Sequence, residues 1–155
     1  MHRGATIVEL LVAIAVVTIV AGAGMGVSIA AGRRKTAENT AAAIKAQLFQ
    51  ARAYALEGKI LQCTTADKLI SWDVSFTASS MTLSEHCKPS GLHSTKTTVL
   101  PSSVTINPLP SVNPIAFTLL TGAPFLAAAS QVTVTVTSPA SANIVLTVSD
   151  QGLIQ

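Results

Sequence analysis

The sequence predicts an α+β protein in which a long N-terminal helix, apolar in its first half and amphipathic in its second, packs on an antiparallel β-sheet. Three observations lead there. Residues 10–32, "LLVAIAVVTIVAGAGMGVSIAAG", run for 23 positions without a charged side chain. Residues 36–57 then repeat small and aliphatic residues at steps of three and four, with no Pro or Gly. From residue 59 onward the chain breaks into short β-branched runs separated by Pro, Gly, Ser and Asn, the texture of strands and turns.

The apolar run comes first. Roughly 20 apolar residues suffice to cross a bilayer, so this stretch reads as a membrane-spanning or membrane-competent helix. A secretory signal peptide is the nearest competitor. Its basic region would be only "MHR", however, and Glu9 interrupts the apolar segment at its start. "GRRK" (Arg33, Arg34, Lys35) follows directly and reads as an interfacial anchor. Gly22, Gly24 and Gly26 are the weak point of the helix, each costing up to ~1 kcal/mol relative to Ala.

In the amphipathic half, Ala41, Ile44, Leu48, Ala51 and Ala55 form one apolar stripe, and Gly58 closes the helix. Beyond it, "KILQCT", "LISWDVSF", "KTTVLP", "IAFTLL", "QVTVTVTS" and "NIVLTVS" read as strands. "VTVTVT" alternates strictly, placing Val132, Val134 and Val136 on one face. It should pair with "NIVLTVSD" as an antiparallel hairpin. "HCKPSGLHSTKTT" lacks apolar periodicity and reads as a loop.

Charge and cysteine content narrow the function classes. The net charge of +3 is mild, and no Lys or Arg follows Lys96. A DNA contact would therefore fall to Lys59, Lys68, Lys88 or Lys96, and a nucleic-acid face normally clusters its cations. Cys63 and Cys87 both lie beyond the apolar run. An even count there suggests a disulfide formed in an oxidising compartment, which places the C-terminal domain outside the cytoplasm. The charges flanking the span do not by themselves favour that orientation. A zinc site from Cys63, His86, Cys87 and His93 lacks the paired ligand spacing such sites use. A Ser-His-acid grouping can be drawn within "SEHCKPSGLHS", but nothing in its spacing singles out a catalytic centre. No catalytic residue, metal or cofactor is assigned.

The opening "G-ATIVELLVAIAVV" resembles the N-terminal signal of type IV pilins and type II secretion pseudopilins. That signal is a short basic leader ending in Gly, a mature first residue, and an acid four residues further on inside an apolar helix. The resemblance makes Gly4 the last leader residue and Ala5 the mature, N-methylated terminus after cleavage by a prepilin peptidase. Glu9 becomes the assembly acid. The family usually has Phe where Ala5 stands, and its peptidase depends chiefly on the Gly. An acid at the centre of a membrane helix costs ~2.5–3.5 kcal/mol on insertion scales and is a functional candidate by default. Pairing Glu9 with the Ala5 ammonium of a neighbouring subunit would offset that cost in a low-dielectric filament core. Many family members carry a helix-bending proline near the position of Gly26. This chain has none, and Gly22, Gly24 and Gly26 would supply the flexibility instead.

The resemblance implies four segments: a leader over 1–4, a transmembrane and filament-core helix over 5–32, an amphipathic helix over 33–58, and a β-rich globular domain over 59–155. "QLFQARAYALEGKILQC", the Trp in "ISWDV" and the ending "NIVLTVSDQGLIQ" are similar to the H-type minor pseudopilins (the GspH/FimT group). A minor pilin or pseudopilin is thereby implied, with other pilin subunits, the prepilin peptidase and an inner-membrane assembly platform as partners. Membrane lipid would surround the helix before assembly. The location implied is the bacterial inner membrane, single-pass, and then a periplasmic pseudopilus or cell-surface pilus. A major pilin, a DNA-uptake minor pilin and a simple membrane-anchored periplasmic binding domain are the alternatives.

Overall fold

The computed structural model of the chain describes residues 7–125, 131–139 and 141–155, with the backbone alone described at 22–27 and 141–142. Within these residues the chain is α+β, with one helix, α1 (Ile7–Glu57), packed on antiparallel strands. The strands are β1 (Lys68–Phe76), β2 (Ser80–Lys88), β3 (Gly91–Val99), β4 (Thr105–Ile106), β5 (Ile115–Thr118), β6 (Pro124–Phe125), β7 (Gln131–Ser138) and β8 (Ser141–Ser149). They form two sheets, ordered β3-β2-β1-β5-β6 and β4-β7-β8.

The stripe on α1 organises both sheets. Ala41, Ile44, Leu48, Ala51 and Ala55 are at most 5% exposed, and Ala37 extends the stripe by one turn. Small residues at most of these positions let the helix approach the strands closely. Ile44 and Leu48 share one buried cluster with Trp72, Val74, Leu83, Phe117 and the inward valines Val132, Val134 and Val136. Those valines alternate with more exposed Gln and Thr on β7, as a half-buried strand requires. The β7–β8 hairpin pairs antiparallel, with Val134 opposite Leu146 and Val132 opposite Val148.

The helix ends where glycine allows it to. Gly58 sits at φ +61°, and the amides of Lys59 and Gly58 return to the carbonyls of Tyr54 and Ala55 at 3.0 and 3.3 Å. This is the paired closure that satisfies the last carbonyls of a helix. Trp72 then locks the exit, its indole N–H donating to the Lys59 carbonyl at 3.0 Å. Its ring lies 4.9 Å from that of Tyr54. At the last residue of β1, the Asn113 side chain accepts from the Phe76 amide and donates to the Phe76 carbonyl, at 2.9 and 2.7 Å.

Two segments differ from the sequence expectation. "KILQCT" is not a strand: after the turn at Gly58 its amides are taken up by a buried side chain instead of a neighbouring ladder. "HCKPSGLHSTKTT" is not a loop: it forms the end of β2, a turn with Gly91 at φ +94°, and all of β3 but its last residue, Val99. Because β3 is a sheet edge with no fully buried position, it carries hydroxyl-bearing and charged residues and shows no apolar period. Gly4 and Ala5 lie outside the described residues, as does the leader expected over 1–4. The backbone is helical through Gly22, Gly24 and Gly26. Among the described residues, no helix is long and apolar enough to cross a membrane. The side chains of 22–27, which complete the apolar run in the sequence, are not part of that description.

Leu48 is fully buried where helix and strands meet, so Leu48→Ala is expected to lower unfolding stability by about 3 kcal/mol. Denaturant unfolding followed by tryptophan fluorescence measures this, since Trp72 belongs to the same cluster.

Candidate functional site

The projecting half of α1 follows from sequence directly. Every residue from Ile7 to Ala21 is exposed, and so is every residue from Ser28 to Lys35. Contact with the domain begins at Thr36 and Ala37. Ten large aliphatic side chains between Ile7 and Val20 are more than half exposed, Ile7 at 80% and Ile19 at 72%. Burying such a side chain is worth roughly 1.5–3 kcal/mol, so this surface carries a large unmet driving force for burial. Its polar groups suit an apolar environment. The Thr18 hydroxyl bonds back to the carbonyls of Ile14 and Ala15 at 3.1 and 2.9 Å, which hides it within the helix. Glu9 lies in the first turn of α1, on this same half. Arg33, Arg34 and Lys35 follow at its base, all exposed, and Arg34 pairs with Glu38 at 3.0 Å.

The second feature is a clamped segment after the helix. Strand alternation turns Leu83, Glu85 and Cys87 inward and leaves His86 half-exposed. Glu85 is fully buried beside its cross-strand partner Trp72. Its carboxylate accepts three consecutive backbone amides, from Leu61, from Gln62 at 2.6 Å and from Cys63 at 3.0 Å. Cys63 is bonded to Cys87, with Cα atoms 5.8 Å apart, so the disulfide expected from the cysteine count is present. Glu85 and the disulfide thus fasten one segment twice to the same strand. Cys63, Glu85 and Cys87 offer ligand atoms within 4.8 Å of one another. Disulfide sulfurs are not thiolates, however, and the Glu85 oxygens are already committed, so the cluster is structural in chemistry.

The histidines fall into two separate groupings. His86 Nδ1 lies 3.7 Å from Asp73 Oδ2, and Ser71 donates to Asp73 Oδ1 at 2.6 Å. Burial raises the Asp73 pKa above its ordinary value, against smaller opposing pulls from Ser71 and His86. At the β2–β3 turn, Ser90 donates to Asp67 at 2.8 Å and its oxygen lies 2.9 Å from His93 Nε2. Hydrogen bonds from Ser90 and Thr64 hold the Asp67 carboxyl below the usual range. In both groupings the serine gives its proton to the aspartate. Nucleophile activation needs the serine to give it to the histidine.

The four lysines considered for DNA do not form a stripe. Lys59 lies over the Tyr54 ring at 4.3 Å, Lys96 sits on the β3 edge, and Lys68 and Lys88 stand opposite each other across β1 and β2. The sequence does not single out Asp73, and it offers Glu85 only as the acid of the Ser-His-acid grouping in "SEHCKPSGLHS", not as a clamp. The signal was strand period: reading 80–88 as a strand puts Leu83, Glu85 and Cys87 on one face. Comparison with known proteins finds no matching family model, no matching curated protein and no matching solved structure.

Three outcomes follow. Glu85→Gln weakens three bonds to a buried charge and should destabilise the domain by about 3 kcal/mol, with faster amide exchange at residues 61–63. Reduction of the disulfide should remove a similar amount, about 3 kcal/mol for a loop of this size. For Asp73, the raised pKa means that its contribution to stability is fully present below the ordinary value of 3.8. That contribution is lost as pH rises through the folded value. Asp73→Asn should therefore melt above the parent at pH 7, and the gap should close as the pH falls below about 4; differential scanning calorimetry across pH checks this.

Proposed function

We propose that this chain is a structural subunit of a type IV pilus or type II secretion pseudopilus, assembled through its N-terminal helix. One observation carries the reading: a single helix whose second half is the core of an α+β domain and whose first half leaves apolar side chains bare on every side. A waterborne monomer rarely exposes so much contiguous apolar surface. Such a half-helix needs a second environment, either a bilayer or a bundle of like helices, and a pilin subunit uses both in turn. The signal-like "G-ATIVE" supplies the switch between them. Cleavage after Gly4 creates an ammonium at Ala5, and Glu9 of one subunit neutralises the Ala5 amine of the next. Small residues along 13–31 allow close helix approach in the bundle.

Within this class we favour a minor subunit. The disulfide closes the segment just after the helix and leaves β7 and β8 outside the closed loop, whereas major pilins often carry a C-terminal disulfide loop. DNA uptake is less favoured, because the lysines are dispersed and phosphate neutralisation supplies most non-specific affinity. Glu9→Ala should abolish incorporation into filaments, while Glu9→Asp retains part of it and both variants keep the disulfide and the thermal transition of the domain. Sheared-filament immunoblots with whole-cell controls measure this. Parental incorporation of Glu9→Ala would overturn the assembly role and return the chain to an anchored binding domain.

A further inference from the structure

At the far end of the domain from the projecting helix, β1 and β2 make a pairing that sheets normally avoid. Lys68 and Lys88 are direct cross-strand partners, both exposed, and like charges in that position repel. Neither makes an ion pair among the described residues. The nearest acid in sequence, Asp67, is engaged with Thr64 and Ser90, and Asp73 is buried further along β1 with Ser71 and His86.

The two lysines border an open cavity of about 570 Å³ whose walls include Leu69, Ile70, Leu119 and Leu120. Ile70 reaches it at an irregularity in the β1–β2 register, between Leu69 and Ser71. Leu120 is 81% exposed and is held at φ +65°, a left-handed conformation unusual for a residue other than Gly. It stays there because its amide donates to the Ala55 carbonyl at 3.1 Å. Three local departures thus meet at one cavity: an unrelieved lysine pair, a displaced isoleucine and a strained, exposed leucine. Departures of this kind concentrate where a surface meets a ligand.

We propose that this cavity docks an acidic, apolar segment of a partner protein, its carboxylates between Lys68 and Lys88 and its apolar side chains against Ile70 and Leu120. Charge complementarity selects the carboxylates, since the lining residues include two cations and no acid. A protein partner fits better than a small ligand because the apolar surface continues beyond the cavity. Leu56, which packs beside Gly122, is 46% exposed. Lipid around the projecting half of α1 is too distant: the helix from Ala21 to Ala55 is about 50 Å long. The inference does not depend on the filament reading, because it concerns only the opposite end of the molecule.

The test uses the full-length chain in a nonionic detergent and a short fluorescein-labelled peptide alternating leucine and glutamate, followed by anisotropy. The parent should bind it, the glutamine version of the peptide should bind at least tenfold more weakly, and affinity should fall with salt. Lys68→Gln combined with Lys88→Gln should lose at least tenfold in affinity and melt no lower than the parent at low salt, because the repulsion is gone. Leu120→Gly should also weaken binding while melting no lower, because glycine accepts the left-handed backbone. Equal binding of both peptides, or parental affinity in either variant, would overturn the proposal. So would binding of decanoate or of a single-stranded oligonucleotide in place of the peptide, the first assigning the cavity to a small amphiphile and the second to nucleic acid. Because filament incorporation is read separately through Glu9, failure here and failure of the filament proposal are distinguishable.

Discussion

Everything in this structure depends on one helix of which only the second half packs on the domain. Residues 37–55 of α1 present a single stripe to the sheets and turn the rest of their circumference outward. Residues 7–21 present aliphatic side chains on all sides and touch none of the domain. A helix can be asked for both because its backbone hydrogen bonds are internal and do not care which solvent lies outside. The boundary is marked chemically by Arg33, Arg34 and Lys35, which cannot enter an apolar phase cheaply, and mechanically by Ala37, the first buried aliphatic of the stripe.

The domain grips the packed half of the helix from both sheets. Both sheets meet the same stripe, and the exit from the helix is fixed by several independent devices. Gly58 turns the chain, Trp72 captures the Lys59 carbonyl, Glu85 gathers the amides of residues 61–63, and the disulfide ties Cys63 to the same strand. These devices hold the far end of the helix, where fraying would otherwise begin. On the proposed reading, the clamp is what lets the projecting half bundle with neighbours while the domain keeps its shape.

The helix was legible in the sequence because its stripe is aliphatic and its period long; all five predicted stripe positions are buried. The β7–β8 hairpin was legible because Val132, Val134 and Val136 alternate with Gln and Thr. β3 was legible only at its end, Lys96–Val99 within "KTTVLP"; its first half was not, since an edge strand with little buried surface carries no apolar period to read. The segment 59–64 misled for the opposite reason. Ile60 and Leu61 look like strand residues, but the amides of residues 61–63 find their partner in Glu85, a contact across more than twenty residues that no local pattern announces. Of the candidate site, the paired cysteines were readable from their number alone. The three-amide grip of Glu85 and the opposed Lys68 and Lys88 emerge only once the β1–β2 register is known.

The central claim is that α1 is made to leave one apolar environment for another, and that Ala5 and Glu9 carry the exchange. The most direct measurement is the intact mass and N-terminal peptide of the protein from its native membrane fraction. A mature chain beginning at Ala5, one methylene heavier than unmodified and two hydrogens lighter for the Cys63–Cys87 bond, is the predicted result. A chain still beginning at Met1 in cells with an active prepilin peptidase would contradict it.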